Sequence, residues 1–498
     1  MSDPCELSAV EARSLIGDGI LSPVELFDAC RKRIEEINPA VNAIVAERFD
    51  EARLEAQAAE AAVTKGEPLK LLHGLPIGVK DANEVAGLRS TYGSLIYKDN
   101  IPTEDEGLIK AVRANGAVVM GKTNTPEFTA GANTVNLVYG ATCNPFDTDL
   151  TCGGSSGGTA VALATGMLPL SMGSDIGGSV RLPATFCGVV GHRPTPGLVP
   201  YDRRAVALTP LDLQGPLARN VKDTALLLSA MAMPGGRDPM AFPHDFESLR
   251  TVDPVDLPSV RVGMSSDLGC APIANSLREV FEMRMKTLVS HVAKLEERDP
   301  DLATSPDVFW ILRGVYFAAA HKKHYEEHYD ELGDIVRSNY ESAVKMTMEQ
   351  VGWACAEQMR ICQEFDRYFE DFDVLICPGV GVPPFPHIQN YPTEVDGAPM
   401  ENYLGWVGLT SSLSPTGHPV TAIPMGVGPT GMPFGIQVVG PKYGDRFTLS
   451  VAAALEELFA AQPTMARPIP DLAKLRSKSV SYTHLRAHET DSYLVCRL

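Results

Sequence analysis

Along the first seventy residues, apolar side chains recur at helical spacing. Ser22-Pro23-Val24-Glu25 places an N-cap, a proline at the first helical position and a capping-box Glu ahead of such a run, which predicts a helix starting there. Residues 50–63, rich in Ala, Glu and Arg, predict a second. Over residues 71–220 the texture changes to Gly, Ser, Thr and Pro around short apolar runs such as 117–120 and 188–191. That alternation predicts buried strands, tight loops and helices in one sheet-centred layered structure. Residues 275–298 and 305–370 return to a charged, helical pattern. Residues 373–377 and 435–439 read as further buried strands separated by a Pro/Gly-rich stretch, and 448–461 as a closing helix. With no low-complexity linker and no internal repeat, a single large domain is expected. The last stretch, 479–498 (SVSYTHLRAHETDSYLVCRL), lacks periodicity and resembles translated vector read-through, so it is set apart from the fold and expected to be disordered.

Composition narrows the function more than the fold. The 498 residues are 44% hydrophobic and 21% charged, as in an ordinary globular protein, and carry a formal charge of −19. That charge, with no clustered Lys/Arg patch, disfavours nucleic acid and anionic membrane surfaces as partners. No apolar run approaches the roughly 18 residues of a membrane span, and the N-terminus does not read as a signal peptide. The ten cysteines are scattered without a CxxC pair, which fits reduced thiols and a cytoplasmic location.

Four motifs carry candidate chemistry. CGGSSGGTAVALATG from Cys152 and GSDIGGSVRLPATFCGVVG from Gly173 fit either flexible turns or reactive serines on rigid loops. Glycines flank the serines in both places, so another group can approach the backbone closely, and each cluster runs straight into helix- or strand-forming sequence. GGSSG also fits a nucleophile elbow centred on Ser155, but the preceding CNPFDTDLTC is a loop where that motif needs a strand. GAVVMGKT at 116–123 fits a phosphate loop, yet its middle reads as a strand and Asn124-Thr125-Pro126 blocks the following helix. GVGPTG at 426–431 is dismissed likewise because Pro429 and the absent helix do not suit a dinucleotide fingerprint. His324-x-x-Glu327-His328 fits a zinc-peptidase pattern, although Lys322, Lys323 and Glu326 beside it are the mix of a solvated helix face. Lys80 ends the apolar run of GLPIGVKD. It is either a snorkelling surface residue or, if buried, an amine able to accept a proton.

Together these blocks resemble the amidase signature family. The likeness runs to about residue 460, is densest over 71–220, and includes LHGLPIGVKD, VVMGKTNTPEF, YGATCNPFD, CGGSSGG, GSDIGGSVRLPATFCGVVGHRPTPG and GMPFGIQVVG. It implies an α/β fold: a single α/β/α domain around a mixed, mostly parallel β-sheet. Residues 1–70 would pack as helices on a domain of 71–478 with a helical insertion at about 275–370. It further implies Ser179 as nucleophile, Ser155 as a cis-serine relay and Lys80 as base. The two serines stand 24 positions apart, as that family's pattern requires. The backbone N–H groups of Ile176, Gly177, Gly178 and Ser179 would form an oxyanion hole, and Asp175 and Arg181 would hold that loop in shape. The loop 128–133 would line the substrate pocket through Thr129 and Gly131.

The expected activity is hydrolysis of a small amide, with carbamates and esters as sub-cases sharing the same tetrahedral chemistry. No cofactor, metal, nucleic acid or membrane is implied, and a homodimer stays open. The alternative is the glutamine-hydrolysing subunit of a tRNA-dependent amidotransferase, which the 305–370 segment with Trp310 and the histidines does not resemble. A zinc peptidase built on His324, Glu327 and His328 is the third class.

Overall fold

A computed structural model describes residues 3–232, 237–400 and 402–478; the segment 479–498, set apart above, lies outside them. Eleven strands form one sheet. In chain order they are β1 (Ile44–Glu47), β2 (Pro76–Lys80), β3 (Val118–Thr123), β4 (Leu170–Asp175), β5 (Val190–Arg193), β6 (Leu213–Ala218), β7 (Arg261–Met264), β8 (Lys294–Glu297), β9 (Val374–Pro378), β10 (Val420–Val427) and β11 (Pro433–Val439). Their spatial order is β1-β3-β2-β4-β6-β5-β10-β11-β9-β7-β8. Every residue of β2, β3, β4, β6 and β11 is buried, so both faces of the sheet are covered and these strands read as continuous runs.

The α/β class and the mixed sheet are as expected, but the balance of directions is not. Parallel pairing is confined to β3-β2-β4 at one side and β9-β7-β8 at the other. The six remaining junctions are antiparallel. One physical reason is the hairpin between β10 and β11, where Gly428 N–H donates to Met432 O (2.7 Å) and Gly431 takes φ +80°. A tight turn can only join antiparallel neighbours. The GVGPTG run is therefore a strand end and its turn, and the Pro/Gly-rich stretch before 435–439 conceals a full strand. Residues 275–298 are likewise only partly helical. The helix Asn275–Met285 gives way to edge strand β8, whose Lys-Leu-Glu-Glu sequence follows the charged pattern that protects a sheet edge.

Helices α1 (Ala9–Gly17), α2 (Pro23–Val41) and α3 (Phe49–Thr64) match the N-terminal pattern. Ser22 Oγ caps α2 by accepting from Val24 N–H (3.0 Å) and Glu25 N–H (3.3 Å). Its own hydrogen goes to Glu60 on α3, so the cap ties two helices together instead of closing a box with Glu25. Four further helices matter below: α4 (Gly157–Ala164), α5 (Arg181–Cys187), α6 (Val221–Met231) and α7 (Ser305–Glu327). The strand expected at 188–191 starts later, because Gly188 ends α5 in the left-handed region (φ 63°).

Buried Asp223, in the first turn of α6, accepts from the N–H groups of Ala9 (2.8 Å) and Val10 (2.9 Å) at the start of α1. One carboxylate thus serves two helix N-termini. Asp223→Ala leaves those amides unpaired and should destabilise the fold by about 1–3 kcal/mol, read as a lower urea midpoint; an unchanged midpoint contradicts the linkage.

Candidate active site

Lys80 is the last residue of β2 and is fully buried. Its Nζ lies 2.7 Å from Ser155 Oγ, 2.9 Å from Ser174 Oγ and 3.0 Å from Ser156 Oγ, and no carboxylate among the described residues touches it. Burial disfavours the ammonium and pulls its pKa from 10.5 to about 7, against partial opposition from the more distant charges of Asp175 and Asp212. An ammonium donates to all three hydroxyls. A neutral amine donates to two and accepts from the third, so the same geometry serves both protonation states.

Ser155 and Ser156 sit just before α4, and the Gly154–Ser155 peptide is cis, as the resemblance implies. The surrounding glycines answer to close packing: a Cβ on Gly157 or Gly158 would overlap Thr134 Oγ1 or the backbone of Asn124. Ser174 lies within β4, and the chain turns after Asp175 into the loop that carries Ser179. Ser156 N–H donates to Ser179 O (3.1 Å), which joins the two serine loops.

Asp175 shapes that loop. Fully buried, it accepts from Gly178 N–H (2.8 Å), Val180 N–H (3.2 Å), Arg181 Nε and Nη2 (both 3.0 Å) and Arg193 Nη1 (3.0 Å). The two guanidiniums hold its pKa far below the usual carboxylate range despite burial. Arg181 extends the clamp to Thr410 O and Gln437 Oε1 (both 2.9 Å). This pattern corrects one expectation: the Gly178 N–H is committed to Asp175. The N–H groups of Ile176, Gly177 and Ser179 have no acceptor among the described residues. Gly177 admits no side chain, since a Cβ would stand 2.5 Å from Phe309 Cζ, and Gly178 takes φ +122° against Thr410.

Ser179 is half-buried and opens on a cleft that it shares with Gly154, Ile176, Gly177 and Gly178. Among the described residues its hydroxyl has no hydrogen-bond partner, so the step from Ser179 to Ser155 is not closed here. Thr129 and Gly131 line the cleft, and Phe128 and Thr129 hold positive φ (47° and 58°). The sequence reading missed the opposite wall: Phe309, Arg313, Tyr316 and Phe317 share one face of α7. Their spacing of four, three and one is a helical stripe, and that stripe was the available signal. Ser156, Ser174 and Asp212 were also missed. Asp212 is buried, its Oδ2 has no hydrogen-bond partner among the described residues, and burial raises its pKa to about 6.

The other motifs find separate uses. GAVVMGKT contains β3, and its Lys122 is buried, bonded to Asn83 O and 3.8 Å from Asp81. His324 stacks on Phe128 (ring centroids 4.7 Å) with Nε2 3.0 Å from Tyr97 Oη, while His328 pairs with Glu331 (2.9 Å). The histidines at 321 and 324 thus back the pocket wall through Phe128.

The family model described as Amidase matches residues 25–449. The chain is similar to an acylamidase of Rhodococcus erythropolis, 32% identical over 457 residues, covering 90% of this chain and 95% of that one. It is also similar to one subunit of the glutamyl-tRNA(Gln) amidotransferase of Oleidesulfovibrio alaskensis, 31% identical over 487 residues, covering 91% and 97%. Among solved structures, a bacterial aryl acylamidase of the amidase signature family superposes with a TM-score of 0.83 at 25% identity, covering 95% of this chain and 98% of that one.

Lysine titration tests the electrostatics directly. In enzyme labelled with 13C at the lysine ε-carbon, the Lys80 signal should titrate near pH 7. In Asp212→Asn, with one acidic neighbour removed, it should titrate lower still. A wild-type midpoint near 10.5 contradicts the burial argument.

Proposed function

Because this chain belongs to the amidase signature family and is an amide-hydrolysing enzyme, we propose that Ser179 is the nucleophile of a Ser179–Ser155–Lys80 triad acting on small amides. The observation that carries this is the buried Lys80 amine 2.7 Å from Ser155 Oγ, beside a loop offering Ser179 and three amide hydrogens without an acceptor among the described residues. In this reading substrate closes the remaining step. Ser179 Oγ attacks the carbonyl carbon while its proton passes through Ser155 to neutral Lys80. Ile176, Gly177 and Ser179 N–H groups stabilise the oxyanion, while Gly178 keeps the loop on Asp175. The proton returns through Ser155 to the departing amine, and water then releases the acid from the acyl-enzyme.

The cleft walls of Phe128, Phe309, Phe317, Leu404 and Val407 favour an aryl or alkyl amide, in keeping with the acylamidase and aryl acylamidase relatives. Carbamates and esters fit the same chemistry. The amidotransferase reading has its own support in the relative of that name. Against it, no Asp or Glu among the described residues lines the cleft to receive the ammonium of glutamine. Turnover of glutamine, but not of aryl amides, by the isolated chain would reverse that preference. No helix among the described residues is long and apolar enough to cross a membrane.

A fluorophosphonate should modify Ser179, mapped by mass spectrometry, and Ser179→Ala should abolish the adduct; modification elsewhere with full activity retained rejects the assignment. Lys80→Ala should lower amide turnover by about 100- to 10,000-fold and ester turnover less, because the poorer leaving group needs the returned proton. Since Lys80 works as the free amine, kcat/KM should rise with pH through about 7 and level off above it.

A further inference from the structure

The α7 wall of the cleft holds a cation that the hydrolytic chemistry does not use. Arg313 is 6% exposed and lines the cleft together with Ser179. Its Nη1 donates to Asn339 Oδ1 and its Nη2 to Tyr403 Oη, both neutral acceptors, and its charge stands over the Phe317 ring (4.2 Å). Among the described residues no carboxylate pairs with it, in contrast to Arg181 and Arg193, which share Asp175. Its Nε–H also donates to none of them. Tyr316, three residues on along the same face, likewise presents a hydroxyl with no partner among the described residues. A buried guanidinium with neutral neighbours and spare donors is well matched to a planar anion, which it can bind bidentately.

We infer that Arg313, assisted by the Tyr316 hydroxyl, is a specificity residue that receives a carboxylate carried by the substrate. The preferred class is then an apolar or aryl amide bearing one carboxylate and no ammonium, such as the anilide of a dicarboxylic acid. A zwitterionic amino acid is disfavoured because, among the described residues, no acidic one lines the cleft to meet its ammonium. This inference rests on the amidase reading of Ser179 and narrows its substrate.

The test compares succinanilic acid with its methyl ester and with butyranilide, neutral molecules of similar shape. The wild type should favour the acid, and Arg313→Gln should shrink the acid-to-neutral ratio of kcat/KM by roughly 10- to 100-fold, the range expected when one charge-assisted contact is lost. Arg313→Lys should restore part of the ratio, and Tyr316→Phe should lower it less. Independently, 4-phenylbutyrate should protect Ser179 from fluorophosphonate in the wild type, with weaker protection in Arg313→Gln. A wild type without preference for the acid, or a variant in which acid and neutral substrates fall together, overturns the inference and assigns Arg313 to holding α7. If Arg313→Gln fails to fold, the wild-type ratio and the Arg313→Lys ratio still decide. Failure of the amidase reading looks different: none of the three anilides is cleaved and Ser179 takes up no fluorophosphonate.

Discussion

Water is excluded from the Lys80 amine, and much of the surrounding structure can be understood as a response to that one desolvation. Away from water an ammonium is costly unless countercharges lie near it. Here the immediate neighbours are three hydroxyls, which hydrogen-bond with either protonation state, while Asp175 and Asp212 act only from a distance. A carboxylate in contact would hold the proton too firmly, and none at all would leave the amine too weak a base. The arrangement between these limits places the group near neutrality, where a general base is most effective.

Asp175 links this balance to the shape of the reactive loop. The same side chain that favours the ammonium of Lys80 fixes Gly178 and Val180 and binds two buried arginines. Its interactions run onward through Arg181 to Thr410 and Gln437, in segments far away in sequence. Loop geometry and amine basicity are therefore not independent quantities in this protein. Removing one member of such a buried ionic cluster leaves uncompensated charge, so a single change there reaches both.

Part of the candidate site was legible in the sequence because its demands are local. Close backbone approach at Gly157, Gly158 and Gly177 leaves glycines that can be read directly, and a lysine ending a buried strand is marked by Pro76, Ile77, Gly78 and Val79 before it. What was not legible depends on partners distant along the chain. The diversion of the Gly178 amide to Asp175 needs three-dimensional geometry, as does the choice of Glu60 over Glu25 at the α2 cap. Edge strand β8 was read as helix because its half-buried, mostly charged residues lack the apolar alternation of a buried strand. The parallel bias expected for the sheet failed where a hairpin turn joins β10 to β11. The Arg313 stripe lay hidden in a helix whose charge suggested a solvated surface.

The cleft is assembled from two separate sources. Its floor comes from the turn before α4 and the loop after β4, whereas much of its roof is α7, which meets the floor where Phe309 abuts Gly177. Such a seam makes α7 an exchangeable cassette. Descendants of one ancestor could acquire new diets by redrafting that helix while the loops beneath it passed on unaltered, with residue 309 as a joint whose bulk must be respected.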